Sequence, residues 1–221
     1  WKRLRLPEVT TLIYRLLALL AFAGGVGFDA PQAQAHPHVW VTSSSELLYA
    51  ADGSITGVRH AWTFDDMFTT YALQGIETKT KGVYSREELA PLAKDNVENL
   101  KEFGFFTFAK ADGKKEKFQE PVDYFLEYKD SALTLHFTLP LKAPVKSKQL
   151  ALDVFDPAFF IDFKFADGDP VKLVGAPASC QLKFQRPGEA DVKKLTEEMV
   201  TSGDNANYGA MYANKILVSC P

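Results

Sequence analysis

Residues 1–35 put the strongest limit on what this chain can fold into, because they read as a segment that never enters the fold. Lys2, Arg3, Arg5 and Arg15 make a positive opening. An apolar run of thirteen residues follows from Leu16 to Phe28, and Ala33-Gln34-Ala35 supplies an A-x-A cleavage signal. That order is the order of a secretory signal peptide. The run falls short of the roughly 20 residues that span a bilayer, and its glycines weaken it further as a helix. Cleavage after Ala35 predicts a mature periplasmic chain, residues 36–221. No later stretch approaches a spanning length, so that chain is expected not to cross the membrane.

Export fixes the redox compartment. The sequence has two cysteines, and in an oxidising space Cys180 and Cys220 are expected to pair. A bridge enclosing about 40 residues stabilises by up to roughly 4 kcal/mol in the chain-entropy description. Thiolate metal ligation is the weaker alternative, since neither cysteine sits in a C-x-x-C spacing. Composition is that of an ordinary globular chain: 46% hydrophobic, 13% aromatic with 17 Phe, and 24% charged. Such a balance excludes disorder, collagen-like repeats and coiled coil. A net charge of −3 leaves no basic footprint for nucleic acid.

Within 36–221 the pattern is mostly that of strands. Residues 38–49 and 55–64 flank Asp52-Gly53, a hairpin signal. That turn places Val39, Val41 and Leu47 on one face with Val58, His60, Trp62 and Phe64, and turns His38, Trp40 and Thr42 outward. Asp65 caps a short helix running towards Gly75. Ser85-Arg86-Glu87-Glu88 is a capping box opening a helix near 86–103, which Pro91 delays or kinks. Strands are expected over 105–110, 116–128, 132–139, 149–155, 159–165, 181–185 and 216–220, with a helix near 189–201. No internal repeat or linker appears. The economical fold is α+β, a single domain with one antiparallel sheet and two or three packed helices.

Chemistry-bearing residues are few. No nucleophile elbow, phosphate-binding loop, Rossmann fingerprint, C-x-x-C or H-E-x-x-H is present, so no enzyme activity is expected. The dense cluster is His36-Pro37-His38-Val39-Trp40 at the new amino terminus. Cleavage gives His36 a free amine, and amine plus two imidazoles is a nitrogen-rich set for Zn, Ni or Cu. Pro37 lacks the amide N–H that a square-planar amino-terminal chelate requires. The bland alternative is a polar start to a strand. Asp156, before Pro157, is either a turn residue or a further ligand, and Asp153 is its near neighbour. Asp65 and Asp66 are helix starters before they are ligands. His60 reads as a satisfied core histidine, and His136 as a residue of a polar strand face.

These residues resemble a family. His36-Pro37-His38-Val39-Trp40-Val41 directly after a signal peptide, Trp62-Thr63-Phe64-Asp65-Asp66-Met67-Phe68, Phe137-Thr138-Leu139-Pro140-Leu141, Val154-Phe155-Asp156-Pro157-Ala158-Phe159-Phe160 and Val218-Ser219-Cys220 together resemble a bacterial exported family of unknown function. Its label is "ABC-type uncharacterised transport system, periplasmic component". Members accompany nickel/cobalt-type permeases or other metal transporters, so the resemblance implies periplasmic metal handling. It maps the family's His-Pro-His onto His36 and His38, and its Asp-Pro onto Asp156-Pro157. The leading expectation is an accessory protein that delivers or buffers a divalent transition metal for an inner-membrane transporter or permease, using His36, His38 and Asp156. The alternatives are an ABC solute-binding component, for which residues 36–221 are few, a copper enzyme built on His36, and a ligand-free structural or interaction domain.

Overall fold

The hairpin read from the sequence is the frame of the molecule. A computed structural model describes residues 37–186 and 208–221; residues 1–35, expected as a signal segment, His36 and the helix expected near 189–201 lie outside the described residues. Strand β1 (Val39–Tyr49) and strand β2 (Ile55–Phe64) pair antiparallel in the register Val41↔Phe64, Ser43↔Trp62, Ser45↔His60 and Leu47↔Val58. Asp52 builds the turn, accepting from the Ser54 amide at 3.0 Å and its hydroxyl at 2.7 Å, while Gly53 takes φ 80°. The faces divide as the period-2 pattern requires, with Val41, Leu47, Val58, His60, Trp62 and Phe64 buried and His38, Trp40 and Thr42 outward.

Helix α1 (Asp66–Ala72) begins where the Asp65 carboxylate accepts the Phe68 N–H at 2.9 Å. Helix α2 (Arg86–Leu100) carries the full capping box: the Glu88 N–H reaches Ser85 Oγ at 3.2 Å and the Ser85 N–H reaches Glu88 Oε2 at 2.8 Å. Pro91 does not delay it. The proline lies on the exposed side of the helix, which runs on through it. The helix stops at Leu100, short of 103, and a 3₁₀ segment (Lys101–Phe106) follows with Gly104 at φ 60°. Leu89, Ala93 and Val97 face inward, and α2 lies along β5 (Val122–Lys129).

The expectation of one antiparallel sheet with helices on it needs correction. The described chain is mostly β, in two open sheets. The first has the order β5-β6-β2-β1-β8, with β6 at Ala132–Val145 and β8 at Ile161–Phe165. A short strand the pattern did not show, β9 (Val171–Val174), also pairs with β1. Both β8 and β9 run parallel to β1, one beyond the other along its edge. The second sheet has the order β10-β11-β7-β3-β4, from β3 (Thr107–Ala111), β4 (Lys114–Lys115), β7 (Gln149–Val154), β10 (Gln181–Gln185) and β11 (Asn214–Ser219). The strand expected over 116–128 is broken, because Pro121 has no N–H to continue a ladder.

Alternation tells which face of a strand is buried, but not which sheet covers it. Here Leu133, Leu135, Phe137 and Leu139 of β6 share one core with Leu150, Leu152, Val154, Ile216 and Val218 of the second sheet. Cys180 and Cys220 are bonded, tying the start of β10 to the end of β11. No described helix is long and apolar enough to cross a membrane.

Candidate functional site

The start of β1 is held from two sides. On one, the Phe160 carbonyl accepts the His38 N–H at 2.8 Å and the Val39 N–H at 3.3 Å. On the other, Asp65 Oδ2 accepts the Trp40 N–H at 2.8 Å, and the Trp40 carbonyl accepts the Asp65 N–H at 3.0 Å. The outward side chains therefore stand on a fixed backbone. The His38 imidazole is exposed and lies over the Phe160 ring, centroid to centroid 4.8 Å, with Phe160 itself 47% exposed. Trp40 is level with Asp162 on β8, whose carboxylate pairs with the Arg186 guanidinium.

Asp156 sits behind this end, 5% exposed, where the chain passes from β7 in one sheet to β8 in the other. Its Oδ1 accepts the Ala158 N–H at 2.9 Å, and its Oδ2 accepts the N–H groups of Phe160 and Ile161, each at 3.0 Å. Three donors on one carboxylate make it the organiser of the turn. The turn is tight enough to put Phe159 at φ 56°, and the Phe159 ring is stacked on Tyr212 at 3.7 Å. Tyr212 belongs to a 3₁₀ segment (Tyr208–Tyr212), and burial, with the Tyr208 hydroxyl 3.1 Å away, pushes its phenol up to about 12. The Gly209 N–H bonds the Pro157 carbonyl at 2.9 Å, and a Cβ on Gly209 would lie 1.7 Å from the Asp156 carbonyl oxygen.

The other sequence candidates lie elsewhere. His60 is fully enclosed between the sheets, against Trp62 and Phe137. The Thr107 hydroxyl donates to the Phe105 carbonyl at 2.7 Å, so Thr107 Oγ1 accepts from His60 Nε2 at 3.3 Å. Nδ1 is then the acceptor for the Ser45 hydroxyl at 2.9 Å. Burial pushes its pKa down to about 3, and both ring nitrogens are spent on structure. His136 is stacked on Phe125 at 4.5 Å, 3.4 Å from Glu127, and burial lowers its pKa against the pull of that carboxylate. Asp153 is on β7 beside Lys215, and burial raises its pKa more than Lys215 and Lys110 lower it. Asp65 caps α1 and holds Trp40.

The fold thus brings His38 and the Asp156 turn together through Phe160. Among the described residues, no three His, Cys, Asp or Glu side chains converge as a metal set, and His36 lies outside them. In the sequence Phe160 stands only within the resembling Val154–Phe160 segment, with no role of its own, and Gly209 carries no signal. The doubled Phe159-Phe160 after Asp156-Pro157 is a usable signal for a ring at the turn, whereas Gly209 has meaning only once the turn is packed against it.

Relatives place the chain without adding chemistry. An uncharacterised protein of Haemophilus influenzae is 23% identical over 195 residues, covering 84% of this chain and 91% of its own length. An "Uncharacterized 15.5 kDa protein in trpE 3'region" of Spirochaeta aurantia is 31% identical over 93 residues, covering 42% of this chain and 66% of its own. The profile described as "Protein of unknown function (DUF1007)" matches residues 19–220, and the chain belongs to that family.

Proposed function

We propose that the mature protein is a periplasmic accessory that binds one divalent transition metal at the start of β1 and delivers or buffers it for an inner-membrane transporter or permease. The observation that carries this reading is the exposed His38 imidazole, set on a backbone pinned by Phe160 and Asp65. Signal cleavage would add the His36 amine and imidazole two residues away. Asp156 enters either as a third ligand or as the anchor of the turn that carries Phe160. What supports the reading over a two-lobed solute-binding protein is the single core that both sheets share.

Calorimetric titration with Zn²⁺, Ni²⁺ and Cu²⁺ tests it on three proteins: the chain starting at His36, the same chain extended before His36, and His38→Ala. The first is expected to bind one ion, and the other two to bind markedly more weakly. Affinity is expected to fall as pH drops, because amine and imidazole ligate only when deprotonated. Equal binding by all three, or none tighter than about micromolar, overturns the amino-terminal site and leaves a ligand-free interaction domain.

A further inference from the structure

We infer that Asp156, Phe160 and Gly209 are positioning residues for His38, and that Asp156 acts through the turn it organises rather than as a ligand. This rests on the metal-binding reading of His38. The path is continuous. Gly209 seats the 3₁₀ segment directly on the Asp156-Pro157 backbone, where no side chain fits. Asp156 gathers three N–H groups and so sets where the Phe160 carbonyl and ring stand. That carbonyl receives the His38 N–H, and that ring lies under the imidazole.

His38 lies just before β1 and is exposed, but exposure alone does not fix the imidazole. The Phe160 carbonyl fixes the His38 backbone, and the Phe160 ring lies against one side of the imidazole. A carboxylate that already accepts three backbone bonds keeps one lone-pair site, and at 5% exposure that site is closed off from an ion at the surface. The turn at 156–160 and the segment at 208–212 are thus a support built behind the amino terminus from the far end of the chain.

The experiment uses the mature chain starting at His36, Zn²⁺ as the probe, and two readouts. One is calorimetric affinity; the other is the His38 ring resonance in metal-free protein, which feels the ring current of Phe160. Phe160→Ala, on an exposed side chain outside the buried core, is expected to weaken Zn²⁺ about 10-fold, the low end of the range for hydrogen-bonded outer-shell partners, because the ring packs on the imidazole without bonding it. Phe160→Tyr, which keeps the ring, is expected to bind as the parent does. Asp156→Asn and Gly209→Ala, neither altering a residue that touches the imidazole, are expected to shift the His38 resonance and to weaken Zn²⁺ similarly. If Asp156→Asn alone weakens binding, Asp156 is a ligand and the inference falls while the metal reading stands. If the parent binds no Zn²⁺, the metal reading falls, and the His38 resonance in Asp156→Asn decides the positioning by itself. Unmoved His38 resonances overturn the inference whatever the affinities.

Discussion

Two successive cross-strand pairs of the β1–β2 hairpin, Ser45–His60 and Glu46–Arg59, stand one step apart on opposite faces. Inside, Ser45 Oγ and His60 Nδ1 are 2.9 Å apart. Outside, Arg59 Nη1 and Glu46 Oε2 are 2.8 Å apart, with side chains 51% and 34% exposed. The contact lengths are nearly the same, and the energetics differ because of what replaces each contact when it breaks. Water replaces the outer one. Nothing replaces the inner one, since Thr107, Trp62 and Phe137 close around the ring. Distance alone therefore says little about a polar contact until the solvent around it is known. The same rule separates the two histidines of the hairpin: enclosure commits His60 to the fold, and exposure keeps the His38 ring within reach of a solute.

Truncating each histidine in turn separates the two faces most sharply. His60→Ala removes a buried ring and strands the Ser45 hydroxyl, and is expected to cost about 3 kcal/mol in urea unfolding. His38→Ala is expected to stay within about 0.5 kcal/mol of the parent, as an outward substitution should. Equal effects would mean that the hairpin faces do not divide as described.

That division is legible in the sequence alone, because period 2 is a local property. Val41, Leu47, Val58, Trp62 and Phe64 alternate, Asp52-Gly53 fixes the turn, and Ser85 and Glu88 announce a helix from within four residues. With two cysteines in the chain there is one intramolecular pairing to make. What the sequence does not reveal is non-local. Nothing in Ile161–Phe165 or Val171–Val174 says that both lie parallel to β1, or that Leu152 and Ile216 belong to a second sheet facing Phe137. The site divides the same way. His38 is readable as an outward ring ahead of the first strand. That Asp156 spends its carboxylate on the N–H groups of residues 158, 160 and 161 depends on a turn conformation, and that Gly209 must be glycine depends on a contact across the fold.

Acid sharpens the same contrast. His60 takes a proton near its ordinary value of about 6.5 in the unfolded chain and only at about 3 in the folded one. Between those values the unfolded state binds the proton and the folded state does not, so stability present above pH 6.5 is lost as pH falls. At about 1.4 kcal/mol per unit, the loss from this group between pH 6.5 and pH 5 is about 2 kcal/mol. Urea midpoints from pH 7 to pH 5 check it, and His60→Gln is expected to flatten the slope whatever its own stability. A parent protein whose stability does not change over that range would mean that His60 is not enclosed.

The smallest expected effect belongs to the outer pair, and its smallness is the other half of the comparison. A double-mutant cycle on Glu46→Ala and Arg59→Ala isolates the pair from whatever each side chain does alone. Both ends of the contact reach solvent, so attraction is screened, and holding two long side chains in one geometry costs rotamer freedom. The coupling is expected to be below about 0.5 kcal/mol in dilute buffer and to shrink towards zero in 1 M salt, where the Debye length is about 3 Å. A coupling above about 1.5 kcal/mol that survives the salt would mean that the outer face is covered in solution. In that case the cover would extend over the outward face of β1, which carries Trp40, Thr42 and Glu46.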